Sequence, residues 1–165
     1  MNIDISKWPE KPYRWMAEDL HKSLNAKANY LVGLGLFCYT EVLGKKILEF
    51  REPEKNFWNN RYNRPAFNLF LGEYMGYQDI IDNSQDKVYD WFLNGLKHQY
   101  FIKGSNSGVY LYFDSPSEKK LRERGIDTNK GLIILDGNNI LLAQIYFNHF
   151  LTGIQEFLQE SEQLN

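Results

Sequence analysis

The chain has 165 residues, a length that fits one domain with its own hydrophobic core and leaves no room for two domains of ordinary size. Hydrophobic residues make up 43% of the chain and aromatic residues 16%, spread over its whole length, which excludes a largely disordered protein. The formal net charge of −2 argues against a broad basic surface for duplex DNA, although a small basic pocket remains compatible with it. We therefore expect a single domain over residues 1–165 that binds no duplex DNA.

The sequence also carries signals about location. The single cysteine, Cys38, lies in an apolar run and excludes an internal disulfide. The first ten residues, MNIDISKWPE, lack the basic start and apolar stretch of a secretion signal. The most apolar segment, NYLVGLGLFCYTEVLG, reaches Glu41 and then Lys45 too soon to span a bilayer, which needs about 20 apolar residues. These features predict a cytoplasmic protein with no membrane partner.

Helical periodicity dominates the first part of the chain. Apolar residues recur at three- and four-residue steps in a first helix, and this spacing continues past a kink through residues 29–48, the predicted central helix. A loop rich in proline, asparagine and charged residues follows over 51–64. Pro65 suits the first turn of a short helix that ends near Gly76.

A further helix is predicted over residues 85–101. The DNSQD stretch before it offers Asn83 or Ser84 as an N-cap. Asp86 would then lie in the first turn, where the helix dipole favours negative charge.

The period changes from helical to β-like after Gly104. The runs GVYLYFD and GLIILDG are short and β-rich, and a charged segment over 115–130 separates them. We predict that they form a small antiparallel hairpin near residues 108–135, and that residues 136–139 turn the chain into a last helix. The predicted fold is mainly α: a bundle of four to five helices with this hairpin inserted before the last helix.

Three polar residues share one face of the helix predicted over 85–101. Asp90, Asn94 and His98 stand at successive four-residue steps. An imidazole transfers protons near neutral pH, and a neighbouring carboxamide or carboxylate can fix its tautomer. The same spacing is equally typical of a solvated polar face on an amphipathic helix. Lys103 either adds a cation beside these groups or only ends the helix.

Glu41 is unusual because it lies within the most apolar helix. A buried carboxylate without a partner is costly, so Glu41 either faces water or pairs with a histidine or arginine of another helix. We predict that it lies near the helix that carries His98. His21 and His149 are interpreted as ordinary surface or capped histidines. No closely spaced cluster of cysteine, histidine and acidic residues predicts a metal site, and no motif predicts a cofactor.

The segment NGLKHQYF, on a late helix of a small helical bundle, resembles a motif of the HEPN superfamily (higher eukaryotes and prokaryotes nucleotide-binding domains). Its active members carry an arginine, a polar residue, three variable residues and a histidine. The polar position falls on Asn94, the histidine on His98 and the arginine on Leu93. The resemblance implies metal-independent RNA cleavage with Asn94 and His98 as the catalytic pair, often across a homodimer interface.

Leu93 departs from this motif. A leucine cannot stabilise charge that grows on a phosphate, so only Lys97, Lys103, Arg61, Arg64 or a residue of a partner chain could replace the missing guanidinium. We therefore expect a weak or lapsed metal-independent endoribonuclease that retains binding of single-stranded RNA or a nucleotide. If Asn94 and His98 are presented on an exposed face, we expect Leu93→Arg to restore phosphate contact. The residues expected to bind substrate are Lys97, Lys103 and Tyr100, with Asp90 and Glu41 in supporting positions.

Three classes of function remain open at this point: a HEPN-like ribonuclease, a non-catalytic nucleotide-binding or dimerising module, and a helical bundle for protein interaction. A homodimer is predicted from the resemblance and from Trp58, Tyr62 and Phe67, aromatic residues around an irregular loop that one small bundle does not bury completely. A toxin, a defence or a housekeeping role fits each class.

Overall fold

The computed structural model describes residues 3–9, 11–96, 108–110, 116–123, 125–135 and 138–163. Its helices are α1 (Lys11–Asn25), α2 (Asn29–Arg51), α3 (Asn63–Leu69), α4 (Gln78–Asn83), α5 (88–96), α6 (Pro116–Glu123) and α7 (Ala143–Gln163). Short 3-10 helices lie at Ile5–Lys7 and Asn60–Tyr62. The strands are β1 (Gly108–Tyr110), β2 (Leu132–Leu135) and β3 (Asn138–Leu142). The predicted class, mainly α with an antiparallel hairpin before the last helix, is confirmed.

Helix α2 is the centre of the bundle, as its continuous apolar sequence predicts. The ring of Phe37, in the middle of α2, lies 6.0 Å from the ring of Phe67, 5.3 Å from Phe92 and 5.2 Å from Tyr146, measured between centroids. These three partners belong to α3, α5 and α7. One aromatic side chain therefore contacts three neighbouring helices, which explains why α2 is apolar on most of its sides.

The kink predicted between the first helix and the central helix is a complete break. Helix α1 ends at Asn25, and Lys27 adopts a φ of 57°, a left-handed conformation that no helix continues through. The amide of Ala28 then donates to the carbonyl of Ser23. The two helices are thus joined by a three-residue turn.

Helix α5 begins later than the sequence predicts. Gln85 and Asp86 have φ values of 52° and 61°, so they form a turn instead of a first helical turn. Ser84, predicted as an N-cap, accepts a hydrogen bond from the amide of Val88 through its hydroxyl oxygen (3.3 Å). Helix α4, directly before this turn, is too short to stand out as a periodic pattern. Residues 97–101 of the predicted helix lie outside the described residues.

The strand pairing differs from the prediction in detail. Strand β2 pairs antiparallel with β3, and β1 pairs parallel with β3, so β3 is the middle strand. The prediction that GVYLYFD and GLIILDG pair with each other is therefore wrong, as is the reading of residues 138–139 as part of a turn. Only Asp136 and Gly137 separate β2 from β3, a spacing typical of a tight hairpin. The charged segment between the runs contains α6.

The three aromatic residues cited for dimerisation differ in exposure. Trp58 is 46% exposed and Tyr62 is half-buried, whereas Phe67 is completely buried. Phe67 therefore adds nothing to an exposed surface. In the part of the chain that is described, no helix combines the length and the apolar character needed to cross a membrane.

The closest approach between helices α2 and α3 occurs at Gly44. A Cβ atom at Gly44 would lie 1.8 Å from the carbonyl oxygen of Ala66, which is backbone and cannot move aside. A Cβ atom at Gly35, also in α2, would lie 3.1 Å from Cδ2 of Leu20, the end of a flexible side chain. The position of α3 on α2 therefore depends on the absence of a side chain at Gly44.

We expect Gly44→Ala to lower the free energy of unfolding by about 1–3 kcal/mol, because the added methyl group forces α3 away from α2. Gly35→Ala is the matched control: it gains about 1 kcal/mol of helix propensity and requires only a shift of Leu20. Urea denaturation of both variants and of the unmodified chain measures the difference. Equal effects of the two substitutions would contradict this account of the contact.

Candidate functional site

Asp90 and Asn94 share one face of α5, as their spacing predicts. The side-chain amide of Asn94 donates through Nδ2 to Oδ1 of Asp90 (2.8 Å), and both residues are half-buried. They are the first and last residues of the π-helical turn Asp90–Asn94. Such turns widen a helix locally and are frequent at functional sites. His98, the third residue of the predicted face, lies outside the described residues.

Arg64, in the first turn of α3, extends this polar pair. Its Nη2 donates to Oδ2 of Asp90 (2.7 Å), while Oδ1 of the same carboxylate holds Asn94. The ion pair is partly exposed and contributes little to stability, in the range of about 0–1 kcal/mol. The ion pair instead orients the side chains. The carboxylate of Asp90 holds the guanidinium of Arg64, from α3, next to the carboxamide of Asn94, from α5.

A groove of about 530 Å³ opens beside Arg64 and Asn94. We call it the arginine groove; it is lined by Asn60, Arg61, Asn63, Arg64, Pro65, Tyr89 and Asn94. Arg61 lies 4.6 Å from the ring centroid of Tyr62 and donates to its hydroxyl (2.8 Å). Among the described residues no carboxylate forms an ion pair with Arg61. The lining of the groove therefore carries more positive than negative charge.

A buried polar network supports the groove from the side of α2. Glu41 and Lys45 are only 7% and 6% exposed, and Lys45 Nζ lies 3.2 Å from Glu41 Oε1. Lys45 also donates to Oδ1 of Asn63 (2.6 Å), and the hydroxyl of Tyr89 donates to Oε2 of Glu41 (2.9 Å). Asn63 and Tyr89 line the groove as well. The network thus fixes two side chains of the groove from beneath.

The protonation of Tyr89 follows from this setting. Burial, and then the hydrogen bond to Glu41, raise the pKa of Tyr89 well above its ordinary value. The phenol therefore keeps its proton at neutral pH and remains a hydrogen-bond donor to the carboxylate.

The reading that Glu41 faces water is wrong, since the residue is only 7% exposed. Its partners among the described residues include Lys45, one turn along α2, and Tyr89. Pairing with a histidine or arginine of another helix stays a prediction, because His98 lies outside the described residues. The i, i+4 spacing of Glu41 and Lys45 was the signal in the sequence that could have identified the first partner. Through Tyr89, Glu41 does contact α5, the helix on which the sequence pattern places His98.

Leu93 is completely buried and belongs to an apolar stripe of α5 that also includes Tyr89, Phe92 and Leu96. An arginine at this position would bring a guanidinium into the hydrophobic core without a partner. The burial of Leu93 argues against the expectation that Leu93→Arg restores phosphate contact, which stays a prediction. Arg61 and Arg64, two of the replacements that the sequence suggests for the motif arginine, do lie beside Asn94.

Four residues of the predicted site lie outside the described residues: Lys97, His98, Tyr100 and Lys103. The described site thus comprises Asn94, Asp90 and Glu41 from the prediction, together with Asn63 and Tyr89, which sequence reasoning did not include.

The other two histidines line a separate cavity of about 570 Å³ between the N-terminal segment, α1 and α7. His21 is exposed, whereas His149 is half-buried and its Nδ1 lies 2.7 Å from the hydroxyl oxygen of Tyr77. That oxygen also accepts a hydrogen bond from the amide of Gly131 (2.8 Å), which leaves the hydroxyl proton available to His149. Burial lowers the pKa of His149 and keeps the ring neutral. The described residues contain no group of three or more potential metal ligands.

Exchange of Lys45 for methionine should destabilise the fold strongly. Lys45→Met leaves the Glu41 carboxylate buried without its cation, a loss of about 3–5 kcal/mol in the free energy of unfolding. Lys46→Met, at the neighbouring exposed position, is the matched control and should change it by less than about 1 kcal/mol. Chemical denaturation measures both. A loss below about 1 kcal/mol in Lys45→Met would show that the buried pair is not required.

His149 should make the stability fall in mild acid. Its pKa is lowered in the folded state, whereas in the unfolded chain it has the ordinary value of 6.5. Below pH 6.5 the unfolded state therefore binds a proton that the folded state resists, and the free energy of unfolding decreases as the pH falls from 7 to 5. His149→Gln keeps an acceptor for Tyr77 and removes the titration.

Urea denaturation at pH 7 and pH 5 tests this contribution. The decrease should be smaller in His149→Gln than in the unmodified chain, while the exposed control His21→Gln should retain the full decrease. An unchanged decrease in His149→Gln would assign the acid sensitivity to other groups.

The chain was also compared with known proteins. No protein-family model matches it, and neither curated proteins nor solved structures gave a match.

Proposed function

We propose that the chain binds a phosphate of single-stranded RNA or of a nucleotide in the arginine groove. The observation that supports this proposal is the presence of Arg61 and Arg64 beside Asn94, the polar residue of the HEPN-like motif. They bring to Asn94 the guanidinium that Leu93 does not supply. A planar guanidinium can hold two phosphate oxygens at once, which a lysine cannot do with the same geometry.

The charges around the groove favour an anion. Asp90 carries the negative charge nearest to Asn94, and the contacts with Arg64 and Asn94 offset it. A guanidinium has five N–H donors, so Arg64 keeps donors for a ligand after its bond to Asp90. Arg61, without a carboxylate partner among the described residues, supplies the surplus charge.

In this proposal RNA cleavage is weak. His98 transfers the proton from the 2′-hydroxyl, and Lys97, Tyr100 and Lys103 add contacts to the substrate. Charge on the phosphate must then be stabilised by Arg61 and Arg64, and Arg64 is already paired with Asp90. Loss of a well-placed charge-stabilising group commonly lowers an enzymatic rate by about 10² to 10³.

The alternative, a homodimeric protein-interaction module, has less support. The large apolar side chains that are exposed among the described residues belong to three separate elements: Trp15 to α1, Leu31 to α2 and Trp58 to the loop after α2. Interfaces are centred on contiguous apolar patches. Dimerisation remains a proposal, which light scattering over micromolar concentrations tests.

Binding of a fluorescein-labelled single-stranded RNA, measured by anisotropy at low salt with EDTA, tests the proposed function. We expect Arg61→Ala to weaken binding at least about tenfold, because a hydrogen bond to a charged group is worth about 1.5–3 kcal/mol. The slope of the logarithm of the binding constant against the logarithm of the salt concentration should also become less steep, by about the amount that one phosphate contact contributes. Lys22→Ala, an exposed charge in the last turn of α1, is the matched control and should bind like the unmodified chain.

Two outcomes would overturn parts of the proposal. Absence of RNA binding by the unmodified chain at low salt would remove the RNA-related role and leave the interaction module. Rapid cleavage that disappears in His98→Ala would show an efficient ribonuclease, so that the weak-activity part of the proposal would be wrong.

A further inference from the structure

Trp58 is the most exposed aromatic ring near the arginine groove among the residues that the structure describes. The loop between α2 and the 3-10 helix Asn60–Tyr62 is anchored by Phe57, which is 3% exposed and packs against the ring of Tyr62 at 4.8 Å. The next side chain, Trp58, is 46% exposed. The loop therefore buries one aromatic ring and presents its neighbour to solvent.

The exposed surface of Trp58 is mainly apolar ring. The only polar atom of an indole side chain, Nε1, already donates to Oε1 of Glu49. Partial burial of Glu49 acts to raise its pKa, and the hydrogen bonds from Lys46 and Trp58 outweigh that effect and lower it. Glu49 thus remains a carboxylate and holds the edge of the indole in place.

Two lysine ammonium groups lie over the Trp58 ring, and each also forms an ion pair with a glutamate. Lys46 Nζ lies 5.1 Å and Lys45 Nζ 5.7 Å from the centroid of the Trp58 ring. Two carboxylates near Trp58 in the chain form ion pairs: Glu49, at the end of α2, with Lys46 (2.9 Å), and Glu52 with Lys55. Their repulsion of an anion is therefore reduced.

Lys45 links the ring to the groove. Its ammonium group, 5.7 Å from the Trp58 centroid, lies 2.6 Å from Oδ1 of Asn63, which lines the groove. Trp58 also precedes Arg61 by only three positions in the chain. Three residues reach at most about 10–11 Å, so the backbone of Trp58 lies within that distance of the backbone that carries Arg61, and its ring can contact a part of a nucleotide chain adjacent to the part in the groove.

We propose that Trp58 is a stacking platform for a base of single-stranded RNA whose phosphate occupies the arginine groove. This inference rests on the proposed function and defines its substrate more closely. Aromatic rings beside a cationic groove are the usual means of binding single strands without sequence preference, because every base offers a π-face. In a duplex the bases are already stacked on one another, so the platform selects unpaired strands.

Two labelled probes separate base stacking from phosphate binding: a single-stranded RNA and an abasic ribose-phosphate chain of the same length. Trp58→Ala should weaken binding of the RNA about tenfold and leave binding of the abasic chain unchanged. Trp15→Ala is the matched control, since Trp15 is 59% exposed and lies on α1. It should bind both probes like the unmodified chain.

A second measurement does not depend on the stability of Trp58→Ala. RNA should quench the tryptophan fluorescence of the unmodified chain, and Trp58→Phe should retain most of the affinity, since phenylalanine also stacks, while losing the quenching. Quenching that persists in Trp58→Phe would assign the contact to another tryptophan and overturn the inference.

The results distinguish failure of the stacking platform from failure of the phosphate-binding groove. If the unmodified chain binds both probes and Trp58→Ala weakens neither, or weakens both equally, the stacking platform is wrong and the phosphate-binding groove stands. If the unmodified chain binds neither probe, the proposed function and the platform are both overturned.

Discussion

The ion pair between Glu41 and Lys45 is the interaction on which the region around the arginine groove depends. Two charges in the most apolar helix of the bundle lose their hydration, and their mutual attraction offsets this cost only if the remaining hydrogen-bonding positions are also satisfied. Glu41 needs a second donor and Lys45 a second acceptor. The partners are Tyr89 and Asn63, which come from α5 and α3. The ion pair therefore determines where these helices meet.

The packing of α3 adds a steric condition to this electrostatic one. Gly44 directly precedes Lys45, and the backbone of α3 approaches it so closely that no side chain fits between them. Only at this separation can Lys45 reach Asn63. The turn of α3 that contacts α2 also carries Arg64, so a close backbone contact sets the position of a charge in the groove.

Much of the fold follows from patterns that are visible in the sequence. The apolar run of α2 predicts a central helix, and the contacts of Phe37 with three neighbouring helices have this cause. The apolar stripe of α5 predicts that Leu93 is buried. A buried side chain at the position of the motif arginine cannot contact a phosphate on the surface. The pairing of the strands was harder to predict from the sequence, because local β-propensity identifies a strand and not its partner. Ile140 to Leu142 are apolar enough for a strand, yet the polar residues before them resemble a helix cap.

The site was predicted less completely than the fold, for physical reasons. The spacing of Asp90 and Asn94 shows that they share a face, whereas no local pattern shows that Arg64 lies opposite them across a turn and a short helix. Sequence reasoning named Arg61 and Arg64 only as substitutes for a missing charge. Their position beside Asn94 results from the packing of α3 on α2, which depends on the whole bundle.

The parallel pairing of β1 with β3 has a consequence for the order of folding. Strands β2 and β3 are separated by only two residues in the chain. By contrast, the pairing of Gly108 with Ile140 requires two residues that are far apart in the chain to meet. The short closure loses less chain entropy and forms sooner. Until β1 docks, one edge of β3 has unpaired backbone amides and carbonyls, which is the kind of edge on which another chain can add a strand. Docking of β1 closes this edge of β3 and makes β1 the edge strand of the sheet.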